Sequence, residues 1–285
     1  MLLFVTVILI DFAGCANNAN KKENTFSSDT SNKNHTIREL SNTDPKFIVQ
    51  EYLPNKICLI SGFNLTHLYP LFGNVKSVYA KDTTFGTYYL YTFDKRLNIT
   101  EISEHSKIFG TNKCVFTYDR NNALAEIEEY RKGVLESRHK LLYENGGLRV
   151  LLLPYLESGM LHNTPDKIFE YESNPKRLIT TFTKLNSQVV NEFNPNYLII
   201  NEASFESNSP SKGINLYERD QYGRFTKHYY DYKEGKGKIL VEWCDNEELD
   251  VNGNVQMQIC YDGYEKFGKE YKGNSSSTYI KYKYW

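Results

Sequence analysis

The chain has 285 residues and a formal net charge of −1, with a pI near 6.6 and a mean hydropathy of −0.57. The near-neutral balance gives no reason to expect nucleic acid or a charged membrane surface as partner, and the hydropathy argues against a polytopic membrane protein. With 23 Tyr and 16 Phe against 2 Trp and 3 Met, the composition favours strands, because aromatic side chains suit a pleated, half-buried surface.

Residues 2–10, LLFVTVILI, form an apolar run too short to span a bilayer and of the right length for a signal-peptide core. Ala13-Gly14-Cys15 follows, and it looks like a bacterial lipobox. That resemblance implies cleavage before Cys15, acylation of its thiol and a membrane anchor through the N-terminal lipid. The lack of Asp directly after Cys15 implies the outer membrane, by the same resemblance. An ordinary secretory signal with a chance cysteine is the alternative. Residues 16–45 are almost wholly polar and cannot bury enough apolar surface to offset the cost of ordering, so a tether is expected there. The predicted organisation is signal peptide 1–15, tether 16–45 and a folded domain 46–285.

Within that domain, residues 46–53 fit either a helix or a strand and end at Pro54, while residues 56–61 fit a buried strand. Residues 71–79 alternate as a strand opened by Gly73-Asn74, with Val75, Ser77 and Tyr79 on one face and Lys76 and Val78 on the other. From here a unit recurs: an aromatic residue, an acid, and a branched apolar residue five positions later. Phe93-Asp94 with Ile99, then Tyr118-Asp119 with Leu124, set the register; Tyr143-Glu144 continues it with a shortened turn to Leu148. Later acids are Glu172, Asp220 and Asp250, with Phe193-Asn194 and Ile199 as a worn copy between. The turn logic is physical: an Asp side chain bonds backbone N–H groups two residues on, and a residue three positions later takes positive φ. Gly223 and Gly253 supply that residue, and Asn122 substitutes tolerably; Leu97 and Pro175 do not fit it.

On these residues the chain resembles the Tyr-Asp (YD, RHS-type) repeat proteins and related bacterial lipoproteins, over roughly residues 71–262. The resemblance implies an all-β fold, an antiparallel sheet of stacked β-hairpin repeats, with room for one or two short helices. Asp94, Asp119, Asp220 and Asp250 are its structural turn acids. Residues 122–135 have helical spacing in isolation, whereas the repeat register asks for a hairpin. The last residues, 279–285, alternate as a strand, but an outer-membrane barrel terminus wants apolar side chains where Lys281 and Lys283 stand, so an outer-membrane barrel is not expected.

The search for chemistry returns no nucleophile elbow, zinc-protease helix or phosphate loop. The six His are scattered; His105 beside Glu101 and Glu104 is the most suggestive and reads as a solvated strand end. Asp250-x-Asn252-x-Asn254 mimics the start of a calcium loop without its Gly and Glu, and a hairpin turn explains it better. No metal site and no cofactor are expected. Cys58, Cys114, Cys244 and Cys260 allow three pairings or four free thiols; Cys244 with Cys260 is the preferred disulfide, on strands that adjacent hairpins bring together. The functional expectation is a membrane-anchored, non-catalytic binding module for a protein or glycan. A periplasmic immunity protein and a hydrolase with an unrecognised carboxylate site are the alternatives.

Overall fold

The computed structural model describes residues 71–285 except 85, 109, 195–197, 207–212 and 233–236. Cys15, the tether and the two elements expected before residue 62 lie outside the described residues. All described residues belong to one compact unit, His35–Trp285.

Among the described residues sixteen strands follow one another: β1 (Val75–Asp82), β2 (Tyr88–Phe93), β3 (Ile99–Ser106), β4 (Gly110–Tyr118), β5 (Leu124–Arg131), β6 (Val134–Glu144), β7 (Arg149–Pro154) and β8 (Lys167–Ser173). The second half is β9 (Lys176–Phe182), β10 (Ser187–Phe193), β11 (Ile199–Glu206), β12 (Ile214–Arg219), β13 (Phe225–Tyr232), β14 (Gly237–Leu249), β15 (Val255–Lys266) and β16 (Lys269–Tyr284). Each pairs antiparallel with its sequence neighbours, and β1 pairs with β16, so the sheet closes into a barrel. The all-β antiparallel fold is as the repeats imply. Among the described residues the only helical turn is a short 3-10 turn, Asn145–Gly147. Residues 122–135 are hairpin, forming β5 and the start of β6.

The repeat has a structural meaning at one end of the barrel. The Asp94, Asp119, Asp220 and Asp250 carboxylates each accept N–H bonds from the residues two and four positions on, at 2.8–3.0 Å. Asn194 Oδ1 likewise accepts the N–H of Leu198, four positions on, at 3.0 Å. The residue three after each Asp takes positive φ: Leu97 at 67°, Asn122 at 63°, Gly223 at 83° and Gly253 at 89°. Leu97 therefore occupies the left-handed slot despite its side chain, contrary to expectation, because the carboxylate and two backbone bonds clamp the turn around it. Glu144 and Glu172 build different turns. Glu144 pairs instead with Arg149 at 2.7 Å, and Asn174-Pro175 is the cis tip between β8 and β9.

The aromatic residue before the acid stitches one repeat to the previous one. The Tyr118 hydroxyl donates to the Ile99 carbonyl at 2.8 Å, and Tyr143 donates to the Leu124 carbonyl at 2.7 Å. Both acceptors stand five residues after the previous acid. At the same position before Asp220, Arg219 Nε donates to the Ile199 carbonyl at 3.4 Å. Tyr282 of β16 donates to the Val255 carbonyl at 2.8 Å and carries the stitch across to the closing strand. A hydroxyl on a long flat ring reaches across a hairpin while its body packs, which is what Tyr118, Tyr143 and Tyr282 supply here.

Asn254 braces one end of the closing β1–β16 pair. Its amide oxygen accepts the Phe72 N–H at 2.7 Å, and its amide nitrogen donates to the Phe72 carbonyl and the Tyr284 hydroxyl, both at 2.8 Å. The mimic of a calcium loop is thus a turn whose side chains are spent on backbone. In β1 the register shifts between Val75 and Ser77, so Val75, Val78 and Ala80 are buried. The simple alternation read from the sequence is broken by this bulge, which returns Val78 rather than Ser77 to the interior.

Apolar side chains face inward: Val78, Tyr91, Phe93, Ile99, Ile102, Phe116, Leu124, Ile127, Val150 and Phe169 belong to one buried cluster. The outer face carries ionic ladders, such as Arg138 with Glu126 at 2.6 Å, Arg149 with Glu170 at 3.3 Å and Lys227 with Glu270 at 2.6 Å. A barrel that crosses a bilayer presents the opposite pattern, because charge on its lipid face is costly.

Candidate functional site

The interior is not uniformly apolar. The turn acids mark one end of the barrel; the other end carries the remaining loops, and the strand halves leading to it place polar side chains on the inward face. Register makes this firm. Ile102 stands opposite Cys114, and Cys114 opposite Glu129, which stands opposite Ser137. Ile102 and Cys114 belong to the core, so Glu129 and Ser137 share its face. Two residues nearer the loops, Tyr89 donates to Glu104 at 3.3 Å and Asn112 to Glu104 at 3.1 Å. Burial first, then the neighbouring Glu104, push the Tyr89 hydroxyl up to about 12.

The girdle continues on the far side of the barrel. Leu178 of the core stands opposite Asn191, and Asn191 opposite Glu202, to which its amide donates at 2.7 Å. Tyr217, which packs against the core cluster, stands opposite His228; His228 stands opposite Glu242, and Glu242 opposite Asp262. The Tyr217 and His228 rings stack at 5.0 Å, and His228 Nε2 lies 2.8 Å from Asn215 Oδ1. Burial holds the His228 imidazole below its ordinary range, against the pull of Glu202. Burial and then Asp262 raise the Glu242 carboxyl.

A cavity of about 330 Å³ opens on this girdle, lined among others by Glu129, Ser137, His139, Tyr155 and Asp166. Ser137 Oγ donates to Glu129 at 2.5 Å. The buried His139 places Nε2 3.2 Å from Asp166, and Lys184 reaches the other Asp166 oxygen at 2.7 Å. Burial works against the Asp166 charge, but Lys184 and His139 outweigh it and hold the carboxyl below its usual range. His139 Nδ1 is buried without a hydrogen-bond partner. An imidazole nitrogen donates or accepts according to its tautomer, so Nδ1 is a polar point that a ligand can meet. Tyr155 forms an outer wall, its hydroxyl donating to Glu126 at 2.7 Å and its face covered by Arg138 at 4.7 Å. The cavity therefore offers acceptors on one side and an aromatic ring on the other.

The sequence-selected residues divide between the two ends. Asp94, Asp119, Asp220 and Asp250 stand at the turn end, where their carboxylates are occupied by backbone. Cys244 and Cys260 are bonded to each other on β14 and β15, with S–S 1.99 Å, on the inward face beside Glu242. Cys114 is also disulfide-bonded. His105 and Glu104 point to opposite faces: His105 stacks on Tyr88 at 4.4 Å outside, and Glu104 joins the girdle inside. Of the girdle carboxylates, sequence reasoning touched only Glu104, as a neighbour of His105, and missed Glu129, Glu202 and Glu242. The signal was present, since Glu129 and Glu104 each stand two positions from a core residue, Ile127 and Ile102, within a strand.

A second surface lies at the loop end. β16 is 16 residues long but pairs with β1 only from Thr278 onward. The hairpin that β15 and β16 form beyond this carries exposed Tyr264, Phe267 and Tyr271, the two tyrosines stacked at 5.5 Å. On the adjoining outer face Trp243 is sandwiched between Lys227 at 4.0 Å and Lys272 at 4.7 Å.

No family model matches the chain, and no curated protein matches it. Among solved structures, the chain is similar to a porin-like protein from Bacteroides uniformis at 10% identity and a TM-score of 0.37, over 75% of this chain and 99% of that one. It is also similar to TcdB2-TccC3-TEV at 8% identity and a TM-score of 0.25, over 79% of this chain and 18% of that one. Likenesses this distant transfer no function.

Proposed function

We propose that the protein is a lipid-anchored, non-catalytic binding module of the bacterial cell envelope, taking a glycan or protein segment at its polar loop end. The observation that supports this reading is the split interior. An apolar core fills the turn end, while Glu104, Glu129, His139, Glu202 and Glu242 concentrate polar side chains at the other. Burying polar groups where apolar ones would pack costs stability, and a ligand that uses them is the physical reason to keep them. Anchorage rests on the Cys15 motif, and a Cys15→Ser chain that stays in the membrane fraction sinks it.

The test of binding is capture from native envelopes, and on glycan arrays, with the full chain and with Glu129→Gln/His139→Gln at the cavity. A ligand retained by the wild type and lost by a folded double variant supports the reading. Equal retention by both refutes the loop-end site. The exposed arm of Tyr264, Phe267 and Tyr271 favours a second reading, an immunity-type inhibitor gripping one protein. Rigid aromatic side chains give large contact area at low entropic cost. Replacing all three by Ser should then abolish capture of that protein while leaving glycan binding untouched.

A further inference from the structure

Beyond ligand binding at the mouth, Glu242, Cys244 and Cys260 form the one group of metal-capable side chains among the described residues, with their ligating atoms all within 4.8 Å of one another. Two facts make this more than a disulfide beside an acid. First, Cys244 and Cys260 stand directly opposite across β14 and β15, with Cα atoms 4.0 Å apart, so both sulfurs remain on the inward face when the bond is broken. Two thiolates on one tetrahedral zinc ion lie about 3.7 Å apart, given a Zn–S distance of ~2.3 Å, a separation open to opposed side chains in adjacent strands. Second, Glu242 and Asp262 oppose one another two residues along the same face. Neither has a hydrogen bond or ion pair with another described residue. Other buried or partly buried carboxylates of this barrel have a partner, a cation for Glu126 and Glu192 and a neutral donor for Glu104, Glu129 and Glu202. Glu242 is partly buried while Asp262 opposite it is exposed; a partly buried carboxylate facing a second one without a counter-charge is costly, and a cation relieves it.

We propose that reduction of the Cys244–Cys260 bond creates a site for one thiophilic divalent cation of the zinc class, held by both thiolates and Glu242, with Asp262 or a water completing four ligands. The chemistry balances. A dithiol reductant gives up two electrons and two protons, forms its own disulfide and leaves two cysteine thiols. The cation then displaces both protons as two metal–thiolate bonds form. Thiolate donors select zinc or cobalt(II) over calcium and magnesium in the reduced chain. In the oxidised chain the sulfurs lack the charge to hold a cation, so thiol redox state gates occupancy.

The experiment uses the full chain reduced with a phosphine under anaerobic conditions and titrated with Co²⁺. One equivalent should produce thiolate-to-cobalt charge-transfer absorption in the near ultraviolet, which Zn²⁺ then removes; the oxidised chain should show none. Cys244→Ser should abolish the band and Cys114→Ser should leave it. Loss of the carboxylate ligand in Glu242→Gln should weaken affinity by about tenfold or more. A reduced, β-folded chain without the band, or a band that survives Cys244→Ser, overturns the proposal. If reduction unfolds the barrel, Cys244→His/Cys260→His decides: folded without reductant, it should bind Zn²⁺, and failure to do so overturns the site.

Discussion

The end of the closing β1–β16 pair should be held by a single buried amide, and Asn254→Ala tests it. The Asn254 side chain meets both the N–H and the C=O of Phe72, at 2.7 and 2.8 Å, across 182 residues of sequence. Asn254 is 2% exposed and Phe72 7%, so water does not replace what the substitution removes. Alanine leaves two buried backbone groups orphaned, each costing about 1–3 kcal/mol, so the loss should be roughly 2–6 kcal/mol. For a chain of this size that corresponds to a fall in Tm of roughly 5–15 °C. The isosteric change Asn254→Asp is a sharper probe. It keeps the acceptor for the Phe72 N–H but sets a carboxylate oxygen against the Phe72 carbonyl and beside Asp250. It should cost at least as much as alanine at neutral pH, and part of the loss should return on acidification, when the carboxyl regains a donor. Urea unfolding followed by far-ultraviolet circular dichroism reads both variants. A loss below about 0.5 kcal/mol for Asn254→Ala, the range of ordinary surface substitutions, would refute this account of closure.

Two further outcomes are expected. Leu97 holds φ at 67° without being glycine; a left-handed conformation costs an ordinary residue about 1–2 kcal/mol, so Leu97→Asn should raise stability by roughly 0.5–1 kcal/mol. A lower urea midpoint would show that Leu97 packing outweighs its backbone strain. The Asp166 carboxyl is held below its unfolded value by Lys184 and His139 against burial. Its contribution is therefore complete above about pH 4 and lost as pH falls through the lower folded value. Asp166→Asn should lower Tm at pH 7 with the difference closing in acid; a pH-independent difference would assign the effect to packing.

Local features were legible in the sequence and distant ones were not. The turn acids could be read because an Asp that caps its own hairpin depends only on residues two to four positions away. The aromatic position before the acid was legible as a pattern, but its function was not, because the Tyr118 hydroxyl finds its partner in the previous repeat, at Ile99. Face assignment failed in β1, where one extra residue between Val75 and Ser77 reverses the alternation. Closure between β1 and β16 was beyond reach, since nothing in the local pattern of residues 279–285 names a strand some two hundred residues earlier. The girdle was hidden for another reason. A Glu in a strand reads as solvent-facing, and only the cross-strand register shows that Glu129 and Glu242 stand on the core side.

Glu242 gives the most direct test of whether the girdle is a site or incidental packing. Its carboxyl is raised by burial and then by Asp262. A group whose folded value lies above its unfolded one favours the fold below the unfolded value, near pH 4, and loses that contribution as pH rises through the folded value. At pH 7 Glu242 therefore opposes folding, and Glu242→Gln, which keeps shape and volume, should raise the unfolding midpoint. The gain should shrink as pH is lowered and vanish once the wild-type carboxyl is protonated in both states. Thermal unfolding of the oxidised chain across pH 4–8 measures it. A glutamine variant less stable at every pH would show that the carboxylate is satisfied in place, and the girdle would then be architecture. A stabilised variant would show a charge held against the interests of folding, next to two sulfurs and opposite a second carboxylate, where only a ligand makes it favourable.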